Sequence, residues 1–165
     1  HDYGVLTPRG LGELRGLGYY TAEALTRQDI FVMLNEPRTF VRNGAAIQFV
    51  GLEDYWTDRF DPAAAFEHAQ DDVPTVALCH NPDAAAHIAP HGVEWILAGH
   101  THGSGPGQYY RLHDRLWKTR AKEFCSGHYQ LECGTNLYVN RGLGYGKRVH
   151  LNACPEITLL TLRRV

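Results

Sequence analysis

Two short apolar runs, each followed within two residues by a histidine, constrain the fold of this chain more than any other feature. The runs cover residues 75–79 and 95–98, and the alanine-rich segment 82–90 between them has the length of a crossover helix. Continuous apolar strands joined through a helix are typical of a parallel sheet that helices cover. We therefore predict an α/β fold. Because the 165 residues show no internal repeat or linker, we expect a single domain over 1–165.

The rest of the chain predicts further helices and strands. We expect helices over 19–28 and 62–68, the second opened by a proline, which the first turn of a helix tolerates. The apolar and β-branched runs predict strands over 31–34, 39–42, 47–52, 129–131 and 137–140 and a final buried strand over 157–162. No apolar stretch approaches the ~18 residues that a membrane-spanning helix needs.

Three histidines lie at the ends of the two apolar runs. His80 follows the first run, and His100 and His102 follow the second. Ligands of α/β sheets gather outside the carboxyl ends of the strands, and in an extended segment residues i and i+2 face the same way. Because imidazole is a good ligand for Zn, Mn, Fe, Ni or Cu, the pattern predicts a transition-metal centre. The alternative is three half-buried histidines that hydrogen-bond backbone carbonyls.

Charge and composition narrow the possible partners. The 16 Lys and Arg against 18 Asp and Glu give a formal charge of −2, which argues against nucleic-acid binding. The segment 109–124 carries five Lys or Arg and four aromatic residues. It is either a cationic cap that grips an anionic substrate and makes peripheral membrane contact, or a solvated loop. We interpret Asp54, Asp58 and Asp61 as residues of a solvated loop.

Five blocks of the sequence resemble the calcineurin-like metallophosphoesterases, and in particular the bacterial phosphodiesterase branch that includes UDP-2,3-diacylglucosamine pyrophosphatases. In chain order they are His1-Asp2, CHNPD (79–83), LAGHTHG (97–103), YVNRGLGYG (138–146) and CPEITLLTL (154–162). The resemblance implies the C-terminal part of a four-layer αββα sandwich, with two mixed β-sheets flanked by helices. It also implies that a hydroxide bridging two divalent transition-metal ions (Mn, Fe, Zn or Ni) hydrolyses a phosphodiester or pyrophosphate bond.

The same resemblance assigns roles to individual residues. His80 and His100 would bind one metal and His102 the other, while His1 would be the catalytic residue that contacts the phosphate. Three further residues would lie around the site or touch the substrate: Asp2, Asn81 and Arg141. For Arg141 the alternative is a surface salt bridge. The substrate would be a phosphorylated small molecule or a lipid-linked phosphate compound.

The family's upstream Asp-x-His and Gly-Asp blocks have no counterpart in this sequence. We therefore expect a metallophosphoesterase domain that lacks an N-terminal segment and is inactive by itself. We also expect a bacterial protein that is cytoplasmic or peripheral to a membrane rather than secreted. One alternative is a non-catalytic remnant or partner-binding domain that lacks the bridging carboxylate. Another is a different metal hydrolase, such as an amidohydrolase or a metallo-β-lactamase relative, although the spacing of His100 and His102 follows neither pattern.

Overall fold

The computed structural model describes residues 4–7, 10–13, 16–103, 124–143 and 154–163. Near the beginning, β1 (Gly4–Thr7) and β2 (Gly10–Glu13) pair as an antiparallel ribbon. Helix α1 (Leu17–Thr26) follows and confirms the helix predicted over 19–28.

The main element is a mixed six-stranded sheet. Its strands are β3 (Glu36–Arg42), β4 (Ala45–Gly51), β5 (Thr75–Leu78), β6 (Trp95–Ala98), β7 (Gly127–Gln130) and β8 (Asn136–Val139). The order across the sheet is β3-β4-β5-β6-β8-β7. Strands β4, β5, β6 and β8 run parallel, whereas β3 and β7 pair antiparallel at the two edges. The α/β class is therefore confirmed, and the four-layer sandwich remains a prediction.

Short helices connect the parallel strands. Helix α2 (Pro62–Phe66) begins after Asp61, whose side chain accepts a hydrogen bond from the Ala64 N–H at 3.0 Å. The crossover between β5 and β6 contains α3 (Ala85–Ile88) between the 3-10 turns Pro82–Ala84 and Ala89–His91. The helix expected over 82–90 is thus broken into three pieces, with a proline in each 3-10 turn. None of the helices described here has the length and apolar character to cross a membrane.

The core lies at the centre of the sheet. Ile96 of β6 and Leu137 and Val139 of β8 are fully buried, as is Ile88 of the crossover. Along β6 and β8 every second residue is buried, which fits the alternation of side chains along a strand. This packing fixes the central strands and therefore the loops that follow them.

Two of the predicted strands are wrong. Residues 31–34 form no ladder, and Phe31 is 53% exposed. The segment 157–162 is also not a strand, since Ile157 is 85% exposed and Leu159 is 92% exposed. Its β-branched and apolar composition would suit a buried strand, but polar side chains hold the segment and no ladder partner lies beside it in the part of the chain that the structure describes.

Candidate metal centre

The carboxyl ends of the four parallel strands bring the three predicted histidine ligands and two charged residues to one edge of the sheet. Asp54 follows β4, His80 follows β5, His100 and His102 follow β6, and Arg141 follows β8. Since these strands are consecutive neighbours and parallel, the segments after them emerge on the same side.

Backbone hydrogen bonds continue the sheet into these segments. The Gly99 N–H donates to the His80 carbonyl at 3.0 Å, and the Asn140 N–H donates to the Ala98 carbonyl at 2.8 Å. A Cβ on Gly99 would lie 3.9 Å from Nδ1 of His80 and 3.7 Å from the Asn140 carbonyl oxygen, so the three segments lie side by side. The positions of the site residues are consequently set by the sheet.

The side chains of His80 and His100 meet, whereas His100 and His102 do not have the geometry that the sequence predicts. The rings of His80 and His100 lie edge to face, with centroids 5.1 Å apart at 82°. His100 and His102 both have left-handed backbones, with φ of 70° and 53°. The prediction that they share a face of an extended segment is therefore wrong. A left-handed backbone at a residue other than glycine costs about 1 kcal/mol or more and often marks a ligand site.

The electrostatic environment keeps the ring of His100 neutral. Burial, the neighbouring His80 and, to a smaller extent, His102 together lower its pKa from 6.5 to about 4, although the Asp54 carboxylate opposes the shift. His100 therefore carries no charge at pH 7. A neutral imidazole has the lone pair that metal binding requires.

Two residues of this site, Asp54 and Trp56, are not among those predicted from the sequence. Asp54 is only 6% exposed, so its interpretation as a solvated residue is wrong, whereas Asp58 and Asp61 are exposed as expected. The Asp54 carboxylate accepts a hydrogen bond from the Trp56 N–H at 3.1 Å. The Trp56 ring packs edge to face on His100, with ring centroids 4.7 Å apart. The signal was available, because Asp54 follows an apolar strand as the site histidines do.

The other predicted site residues occupy different environments. Asn81 is 2% exposed, and its Oδ1 accepts a hydrogen bond from the Asp83 N–H at 2.9 Å, which caps the 3-10 turn beside His80. Arg141 forms an ion pair with Glu156 at 2.7 Å. The predicted residues His1 and Asp2 lie outside the described residues. So does the cationic and aromatic segment 109–124, apart from its last residue.

The donors that are present suit a transition metal but form only part of a site. Two imidazoles meet, a third lies close enough to affect the pKa of His100, and a buried carboxylate adjoins them. Such nitrogen and oxygen ligands suit Zn, Mn, Fe or Ni. Within the described ranges, however, no group of three His, Cys, Asp or Glu residues is arranged to hold a metal ion. The donor chemistry therefore fits, and a complete site needs ligands beyond these residues.

Three curated proteins show what the chain resembles. It is 31% identical over 142 residues to the UDP-2,3-diacylglucosamine pyrophosphatase LpxG of Chlamydia trachomatis, an alignment that covers 79% of this chain and 43% of LpxG. It is 32% identical over 151 residues to the uncharacterized metallophosphoesterase YkuE of Bacillus subtilis, covering 88% of this chain and 52% of YkuE. It is 27% identical over 149 residues to the phosphodiesterase YaeI of Escherichia coli, covering 85% of this chain and 50% of YaeI.

The chain spans about half the length of the curated relatives it matches. Neither a protein-family model nor a solved structure matches it.

Proposed function

Because this chain belongs to the calcineurin-like metallophosphoesterase family, we propose that it forms part of an enzyme that hydrolyses phosphodiester or pyrophosphate bonds at a two-metal centre. The observation that carries the proposal is the position of three histidines after the carboxyl ends of two adjacent parallel strands, where the rings of His80 and His100 meet.

The residues of this chain have distinct roles in the proposed reaction. His80 and His100 would hold one divalent transition metal (Mn, Fe, Zn or Ni) and His102 the other. Such a pair of metals supplies a hydroxide nucleophile at neutral pH and offsets charge on the phosphoryl oxygens. His1 would contact the phosphate and protonate the leaving oxygen, since an unperturbed imidazole pKa near 6.5 allows it to carry that proton. Asp2 would lie beside it.

The relatives suggest the class of substrate. The name of LpxG describes a pyrophosphatase of a diacylated nucleotide sugar. We propose a phosphorylated substrate that is a small molecule or is lipid-linked, with the cationic and aromatic segment 109–124 contacting it or a membrane surface. We also propose that residues 1–165 belong to one four-layer αββα domain, completed by an N-terminal segment.

The test is hydrolysis of bis(p-nitrophenyl) phosphate by the full-length protein that contains these residues. We expect His100→Ala to lower kcat/KM at least about a hundredfold, because it removes a metal ligand. The matched control is His68→Ala, since His68 is exposed and lies away from the strand ends. An equal loss of kcat/KM in His100→Ala and His68→Ala would contradict the proposal. A folded wild-type protein that binds no metal and has no activity would instead support a non-catalytic, partner-binding domain.

A further inference from the structure

Glu156 joins the segment 154–163 to the residues that follow β8. Its Oε2 accepts hydrogen bonds from Nε of Arg141 at 2.7 Å and from the Arg141 backbone N–H at 3.4 Å. Its Oε1 accepts from the Thr158 hydroxyl at 2.8 Å and from the Tyr138 hydroxyl. The backbone N–H of Glu156 also donates to the Gly142 carbonyl at 2.9 Å. Both carboxylate oxygens are thus occupied, which fixes the carboxylate in one orientation.

Thr158 ties the same network to the end of β8. Its hydroxyl oxygen lies 2.9 Å from the Tyr138 hydroxyl and accepts a hydrogen bond from Nδ2 of Asn140 at 2.9 Å. The Asn140 side chain in turn accepts from the Gly142 N–H at 2.6 Å. The segment is therefore anchored by side chains to residues 138–142, although it forms no strand.

This network holds a cation on the segment that lies beside the one carrying His100. Arg141 follows Asn140, whose N–H extends the sheet by bonding the carbonyl of Ala98, two residues before His100. Glu156 engages only the Nε and backbone N–H of Arg141, and no described residue accepts a hydrogen bond from its two terminal amino groups. Those groups carry four of the five guanidinium N–H donors, and the side chain is 36% exposed.

We propose that Arg141 binds a phosphoryl oxygen of the substrate and that Glu156 is its positioning residue. Guanidinium binds phosphate through a planar pair of N–H donors, so the orientation of its plane decides whether both donors reach the anion. Glu156 holds that plane through Nε, which leaves the terminal donors for the ligand. The role assigned to Glu156 deepens the proposed function and rests on it.

The test is a double-mutant cycle in the full-length protein, with bis(p-nitrophenyl) phosphate as the substrate. We expect Arg141→Ala to raise KM about tenfold, which corresponds to about 1.4 kcal/mol. Glu156→Ala should raise KM by a similar factor, with kcat changed less than about twofold. Glu156→Gln should keep KM near the wild-type value, because the glutamine amide oxygen still accepts a hydrogen bond from Nε of Arg141. In the Arg141→Ala background, Glu156→Ala should have no further effect on KM.

A purely structural role for Glu156 would give a different pattern. Glu156→Ala would then raise KM by the same factor with or without Arg141, and that result would overturn the proposal. The control is Glu67→Ala, which removes an exposed glutamate at the end of α2 and should leave KM unchanged.

The phosphate affinity, measured by calorimetric titration with inorganic phosphate, separates this inference from the proposed function. If the wild-type protein hydrolyses no phosphoester but binds phosphate, the proposed function fails. Weaker phosphate binding by both Arg141→Ala and Glu156→Ala would then still support the inference. Equal phosphate affinity in wild type and Arg141→Ala, or no phosphate binding by the wild type, would refute it.

Discussion

Replacing Glu156 with glutamine should destabilise the protein at neutral pH and have little effect in acid. Hydrogen bonds from Tyr138 and Arg141, with a smaller contribution from Thr158, lower the pKa of Glu156 from 4.5 to about 2. The folded protein therefore favours the carboxylate more than the unfolded chain does. Glutamine has nearly the same shape as protonated glutamate, so Glu156→Gln isolates the contribution of the charge.

The sign of the effect follows from the lowered pKa. A depressed carboxyl pKa adds stability above the pKa of the unfolded chain, and this stability is lost as pH falls toward the folded value. The difference between 4.5 and about 2 corresponds to at most about 3.4 kcal/mol. Solvent screening reduces it, because the partner Arg141 is 36% exposed, so we expect about 1–2 kcal/mol at pH 7. More than half of that should be gone by about pH 3.

Urea denaturation of the wild type and Glu156→Gln at a series of pH values between 7 and 3 measures this contribution directly. Other carboxylates titrate equally in both proteins and cancel in the difference. The control Glu67→Gln should follow the wild type at every pH. Parallel stability curves for the wild type and Glu156→Gln would refute the reasoning, because the charge of Glu156 would then contribute nothing.

Two further predictions concern packing and reactivity. Gly51→Ala should lower the free energy of unfolding in urea by about 1–3 kcal/mol, because the new Cβ would overlap Cβ of Met33 and lie 3.2 Å from its carbonyl oxygen. The control is Gly99→Ala, whose new Cβ would meet no heavy atom closer than 3.7 Å. Equal losses of stability in the two variants would contradict the argument. Iodoacetamide at pH 8 should label Cys133 but not Cys79 in the folded protein. Cys79 is buried, which raises its pKa to about 12, whereas Cys133 is exposed and hydrogen bonds from Thr135 lower its pKa. Labelling of both thiols before unfolding would show that this part of the core opens.

The sequence predicts the central sheet well because its signals are local. The apolar runs over 75–79 and 95–98, which form β5 and β6, are read directly from apolar patterning. The order of the strands, which puts the segments after β4, β5, β6 and β8 on one edge, depends on pairings between distant parts of the chain. Local pattern does not contain that information.

Other features of the site could not be predicted from sequence for physical reasons. The left-handed backbones of His100 and His102 depend on the packing around them, because sequence preference alone disfavours this conformation at residues other than glycine. The burial of Asp54 depends on neighbours from other segments. The segment 157–162 has the composition of a strand, but the hydrogen bonds that hold Thr158 come from side chains at the end of β8.

The central claim is that the histidines at the strand ends hold metal, and metal content per chain tests it most directly. Plasma mass spectrometry of the full-length protein should find two transition-metal ions per chain, with loss of metal in both His100→Ala and His102→Ala and full retention in His68→Ala. Metal content that stays equal in all four proteins would contradict the account, since the metal would then be held by ligands other than these histidines.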